Sequence, residues 1–156
     1  MRILLFCIIA LTFISCSTVE TPPIVIQAEA FTRGTVVPDN TIHGYGEGIG
    51  VIVTPAPPGY AEYDIDILKT SNYKIELRYA SALPRPVRLL IDGQLVTDKA
   101  AGLITGGFMP PNQQWGDACI LSIAQGKHTL RLDSQGPFPC IDQIRITATT
   151  QAESKP

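Results

Sequence analysis

Tyr60-Ala61-Glu62-Tyr63-Asp64-Ile65-Asp66-Ile67 alternates without a break. Ala61, Tyr63, Ile65 and Ile67 fall on one side of an extended chain, and Glu62, Asp64 and Asp66 fall on the other. Residues 73–79 repeat the pattern, with Tyr73, Ile75, Leu77 and Tyr79 set against Lys74, Glu76 and Arg78. Thr129 to Asp133 alternates around Leu130 and Leu132, and Asp142 to Ile146 does the same. Turn chemistry stands between these runs. Asp92-Gly93 separates Val87–Ile91 from Gln94–Thr97, a two-residue hairpin signal. Gln125-Gly126 divides Ile120–Ile123 from Lys127–Leu132, and Pro55, Pro57 and Pro58 interrupt the chain before residue 60. No window supports an amphipathic helix. About nine short strands at close spacing predict an all-β domain, a jelly-roll β-sandwich. One connection is long: Asp98 to Gly116 carries Phe108, Met109 and Trp115, and long loops on such a frame usually carry function.

The ends read differently. Met1-Arg2 followed by apolar Ile3 to Ile14 has the form of a secretory signal peptide. The apolar run of about a dozen residues falls short of the ~20 that span a bilayer. Phe13-Ile14-Ser15-Cys16 resembles the lipobox of bacterial lipoproteins. That resemblance implies removal of residues 1–15, acylation of Cys16 and a membrane anchor, and Ser17 leans the destination towards the outer membrane. An ordinary signal peptide with secretion is the alternative. Residues 16–23 then form a tether, 24–147 the sandwich and 148–156 a polar tail. The remaining ~140 residues make one domain with a sizeable core. A net charge of −2 with no basic run excludes a nucleic-acid footprint. Cys119 and Cys140 are left as an even pair in an exported chain, either joined as a disulfide or present as two small buried thiols.

Eight stretches in order carry a family resemblance. They are Gln27 to Phe31, Gly44 to Gly50, Ala61 to Ile65, Asn72 to Ala80, Val87 to Gly93, Thr105 to Phe108, Gly126 to Leu130 and Ile141 to Ile144. Together they resemble carbohydrate-binding modules of families 6 and 35, which implies a galactose-binding-like jelly roll over about residues 24–147. It also implies a structural calcium held by Gln27, Glu29 and Asp142. The residues agree in part: Gln27 and Glu29 are two apart on a strand, and Asp142 shares the parity of Ile144 and Ile146, so its carboxylate points inward and needs a cation or several hydrogen bonds. The resemblance further implies a cleft in which aromatic rings hold a sugar. Phe108 stands where the family has tryptophan, with Tyr45 and Trp115 as the other candidate contacts. Val51 occupies the place of the opposing tyrosine and Cys140 that of a polar asparagine. Arg33, Arg85 and Arg88 could read an acidic sugar, although solvated charge is the simpler expectation for each.

Catalysis finds little support. His43 and His128 form no metal-ligand pair, the Gly-x-Ser-x-Gly signature is absent, and Asp64 and Asp66 lie on the outer face of a strand. Asp39 and Glu47 could serve a glycosidase, but a mature chain of ~140 residues leaves little frame for a deep cleft. The sequence therefore reads as a non-catalytic, calcium-stabilised, glycan-binding lipoprotein module of the cell envelope, with other envelope proteins as further partners. The rival is a protein-interaction or assembly lipoprotein that kept the fold and lost the sugar site.

Overall fold

The structure, a computed structural model, describes residues 21–39 and 50–149. These residues form eleven strands: β1 (Ile24–Gln27), β2 (Arg33–Gly34), β3 (Val37–Asp39), β4 (Val51–Val53), β5 (Gly59–Ile67), β6 (Ser71–Ala80), β7 (Val87–Ile91), β8 (Gln94–Ala100), β9 (Gln114–Ile123), β10 (Gly126–Ser134) and β11 (Cys140–Ala148). Two 3₁₀ turns, Ala28–Ala30 and Pro110–Asn112, complete the regular structure among the described residues. Every pairing is antiparallel. One sheet runs β3-β4-β11-β6-β9 with β1 also on β11, and the other runs β2-β5-β10-β7-β8. The result is the jelly-roll sandwich that the alternation predicts.

The period-two runs explain the core. Tyr63 and Ile67 from β5, Ile75 and Leu77 from β6, Leu89 from β7, Leu130 and Leu132 from β10, and Ile141 and Ile144 from β11 are fully buried between the sheets. Burying such side chains stabilises the fold by about 1.5–3 kcal/mol each. The Asp92-Gly93 turn takes positive φ at both residues, 50° and 78°, as a tight hairpin whose twist matches its strands demands.

The outer face of the five-stranded sheet is a ladder of ion pairs. Arg33 bonds Glu62 at 2.8 Å and Asp64 at 2.7 Å, Arg131 bonds Glu62 and Asp133, and Arg88 bonds Asp133. Arg33 and Arg88 are thus paired across the sheet.

The long connection is shorter than the sequence suggests. β8 reaches Ala100 and β9 starts at Gln114, leaving 101–113 as loop. Gln114, Trp115, Gly116 and Asp117 lack apolar alternation, which hid the start of this edge strand. Cys119 and Cys140 are not joined to each other. Cys119 lies opposite Ile75 on one side of β6, and Cys140 lies opposite Ala80 on the other. At ~3.3 Å per residue and ~4.8 Å per strand they are separated by more than ~15 Å, beyond the ~7 Å reach of a disulfide.

The sandwich has two poles. Ile24 pairs with Ile146 and Thr149 bonds Asn72, so the chain enters and leaves at the pole of the Asp92-Gly93 and Gln125-Gly126 turns. Residues 81–86 and 101–113 lie at the other pole, beyond Ala80 and Gln114. The ten residues of β6 separate the poles by roughly 30 Å.

His128 clamps the first pole. Its Nδ1 is 2.6 Å from Asp92 Oδ2 and its Nε2 is 2.9 Å from the Ala124 carbonyl. Both ring nitrogens face acceptors, so the imidazolium satisfies the site and either neutral tautomer leaves one acceptor unpaired. The Asp92 bond raises the His128 pKa and holds the Asp92 carboxyl low. The His128 contribution is complete below about pH 6.5 and is lost as pH rises through its folded value. The Asp92 contribution is present above about pH 3.8 and is lost on acidification. Urea unfolding at about pH 5.5 and pH 8.5 is expected to show wild type losing stability at the higher pH, with a flatter response in His128→Gln. Equal slopes would rule out the clamp.

Candidate functional site

At the far pole, β4, β11 and β6 lie side by side. Ile52, Ile141 and Tyr79 face the core, so their neighbours Val51, Cys140 and Ala80 project to the opposite side. There they form a small second cluster, with Val53 and Phe108 packed on it half-buried. The positions at which the family resemblance sets its cleft, Phe108, Val51 and Cys140, are thus brought together in space.

The loop that delivers Phe108 is tightly folded. Thr105 donates its backbone N–H to the Ser81 carbonyl at 2.8 Å, and Ser81 donates to Thr105 Oγ1 at 2.8 Å. Gly106 has φ of 101°, and a Cβ on Gly107 would come within 2.5 Å of Asn112 Oδ1. The positive φ at Gly106 is a conformation that glycine takes without strain, and it turns the Phe108 ring onto the cluster.

Arg85 is the residue the sequence reading placed wrongly. Read as solvated, it is half-buried, with its guanidinium 4.3 Å from the centroid of Phe108 and Nη1 donating to the Phe138 carbonyl at 3.2 Å. Pro84 and Pro86 fix its turn, which is the one signal that could have marked it. The pair offers an apolar surface beside N–H donors.

Trp115 lies one strand further out, opposite Arg78 on β9. The Arg145 guanidinium stacks 4.0 Å over its ring, and Arg145 bonds Glu76, which Lys74 links to Asp117. Its exposed face is therefore occupied, and it packs within a charge ladder rather than beside Phe108. Tyr45, His43, Glu47 and Cys16 lie outside the described residues. Asp39 is buried in β3.

Glu29 and Asp142 do approach one another. Asp142 is the extra residue of a β-bulge between Ile141 and Gln143, and it is 2 % exposed. Glu29 projects from the Ala28–Ala30 turn against Gly50, where a Cβ would meet its carboxyl carbon at 2.9 Å. Glu29 Oε2 and Asp142 Oδ2 are both buried without a hydrogen-bond partner. Burial pushes the Asp142 pKa up and the Glu29 charge adds to it, while Arg78, 3.3 Å away, and Gln113 oppose. Two adjacent, desolvated carboxylate oxygens suit a hard cation. The Gln27 side chain makes a different contact. β1 ends at Gln27, so the parity with Glu29 is lost at the turn, and its exposed amide accepts from Gln143 Nε2 at 3.2 Å. Among the described residues no group of three or more His, Cys, Asp or Glu side chains could hold a metal, so any cation shell must draw on amide or backbone oxygens as well.

The two antiparallel sheets define a jelly-roll β-sandwich. No family model matches the chain, and no curated protein matches it. Solved structures do. A family 35 carbohydrate-binding module from Clostridium thermocellum superposes with a TM-score of 0.68 at 20 % identity, covering 83 % of this chain and 100 % of that one. A family 35 module from Paenibacillus barcinonensis gives 0.67 at 23 % identity, with 81 % and 99 % covered. The C-terminal family 6 module of a marine laminarinase from Zobellia galactanivorans gives 0.65 at 23 % identity, with 81 % and 99 % covered. The chain has the fold of these modules.

Burial raises the Cys119 thiol to about 11, and Cys140 is 1 % exposed. In a form starting at Ser17, both thiols are expected to resist maleimide until the domain is unfolded and then to label fully without reductant. Incomplete labelling of the unfolded, unreduced chain would restore the disulfide.

Proposed function

We propose that this chain is a non-catalytic glycan-binding module, stabilised by calcium and tethered to the cell envelope through an acylated Cys16, with the outer membrane favoured. The single observation that carries the glycan reading is the convergence of Phe108 and Arg85 over β4, β11 and β6, in a fold shared with structures named as carbohydrate-binding modules. An apolar ring takes the C–H face of a pyranose, and directional donors take its hydroxyls. Among the described residues the cluster beneath supplies no polar side chain besides the Cys140 thiol, so the contacts it offers are the Phe108 ring and the Arg85 guanidinium, which favours a terminal or single exposed sugar. The polarity of the fold supports a tether: a chain anchored before Ile24 holds the loop pole away from the membrane.

Calcium would be held by Glu29 and Asp142, whose buried oxygens without a hydrogen-bond partner are the observation behind it, although Arg78 already lies 3.3 Å from Asp142. It would neutralise two carboxylates at the junction of β1, β4 and β11.

A glycan array screened with residues 17–156 is expected to give discrete hits that Phe108→Ala abolishes. Silence across neutral and acidic glycans would overturn the glycan reading. Calcium is tested independently. Millimolar calcium should raise the melting temperature by several degrees, roughly 2–4 °C per kcal/mol for a domain approaching 150 residues, and chelation should reverse this. Asp142→Asn should melt below the parent in calcium but at or above it in chelator, because a neutral amide relieves the clash with Glu29. A calcium-insensitive parent would remove the metal from the account.

A further inference from the structure

We propose that the loop pole, residues 81–86 and 101–109, docks a protein segment presenting a carboxylate flanked by apolar side chains. Nine large apolar side chains are exposed among the described residues, and four of them crowd these two loops: Leu83 at 55 %, Leu103 at 75 %, Ile104 at 57 % and Met109 at 48 %. A cluster of this kind on a soluble domain marks an interface. The loops are not loose. Besides the Ser81–Thr105 bonds, the Leu103 N–H donates to Tyr79 Oη at 3.2 Å, and Pro84, Pro86 and Pro110 fix the backbone. Docking there costs little ordering entropy.

Charge identifies the partner. Residues 81–86 and 101–113 contain no Asp or Glu. Arg33, Arg78, Arg88, Arg131 and Arg145 each pair with a carboxylate. Arg85 alone among the described arginines makes no ion pair with a described carboxylate; Phe108 and the Phe138 carbonyl hold it in place with N–H donors to spare. Arginine, methionine, aromatic and aliphatic residues without acids make up the buried centre of protein interfaces. A second copy of this chain is a poor occupant, because a two-fold axis would set Arg85 against Arg85 and supply no carboxylate. The inference goes beyond the glycan reading: it uses the loop tips and the edge of Arg85, not the face of Phe108.

The test is panning a phage-displayed random peptide library on residues 17–156, which hold every strand among the described residues, with counter-selection on Leu103→Ser/Ile104→Ser. Enriched peptides are expected to share an Asp or Glu beside apolar residues. A synthetic peptide from that set should bind at least about tenfold more weakly to Arg85→Gln and to Leu103→Ser, with the melting temperature of Leu103→Ser unchanged because that side chain is 75 % exposed, and with Arg85→Gln shown to be folded by circular dichroism at the binding temperature. No enrichment, or peptides indifferent to Arg85→Gln, would overturn the proposal. So would binding to vesicles of phosphatidylcholine and phosphatidylglycerol that the same variants abolish, since the patch would then serve a membrane. Glycan hits lost in Phe108→Ala but kept in Leu103→Ser separate failure of this proposal from failure of the glycan reading.

Discussion

Strand β11 is the constraint on which the rest of the molecule depends. One edge pairs with β6 over almost its whole length, and the other is shared by β4 at its start and β1 beyond. Its inward side chains, Ile141, Ile144 and Ile146, close the core. Its outward and bulged residues set up everything at the far pole: Cys140 forms the floor under Phe108, and Asp142 is turned towards Glu29. A strand bonded on both edges cannot shift by one residue without exposing its isoleucines, so its register is fixed. The bulge at Asp142 is the one place where the ladder gives way, and bulges characteristically re-aim a side chain.

The frame was legible wherever one face of a strand is wet and the other dry. β5, β6, β10 and β11 announce themselves because Glu62, Lys74, Arg131 and Arg145 interrupt the apolar residues at every second place. The two-residue turn at Asp92 was equally plain, because few sequences tolerate positive φ twice. β2 and β3 are two- and three-residue pieces, too short to show a period. β9 was missed at its start because an edge strand carrying Gln114, Gly116 and Asp117 has no regular apolar face.

The candidate site was legible only in part, for a different reason. Phe108, Val51 and Cys140 are far apart in sequence, and their meeting follows from sheet order, which alternation does not encode. Arg85 illustrates the limit. A charged residue between two prolines looks solvated, and only the fold shows that its turn leans over an aromatic ring from another loop. Gln27 shows the converse error: the spacing Gln27 to Glu29 implies one face on a strand, but the strand stops between them. Trp115 could be read from the sequence as a packing anchor or a candidate contact, and it is the register that sets Arg145 on top of it.

The ion-pair ladder on the five-stranded sheet has an effect of another kind. Arg33, Arg88 and Arg131 stand against Glu62, Asp64 and Asp133, so three cations cancel three anions within a few ångströms. Such an arrangement has almost no monopole, and its field decays well inside the ~8 Å screening length of physiological salt. That face neither draws in nor repels charged molecules from a distance. Encounters with it are governed by diffusion alone and are insensitive to ionic strength, which leaves the loop pole, whose Arg85 has no carboxylate partner among the described residues, as the more directional end of the molecule.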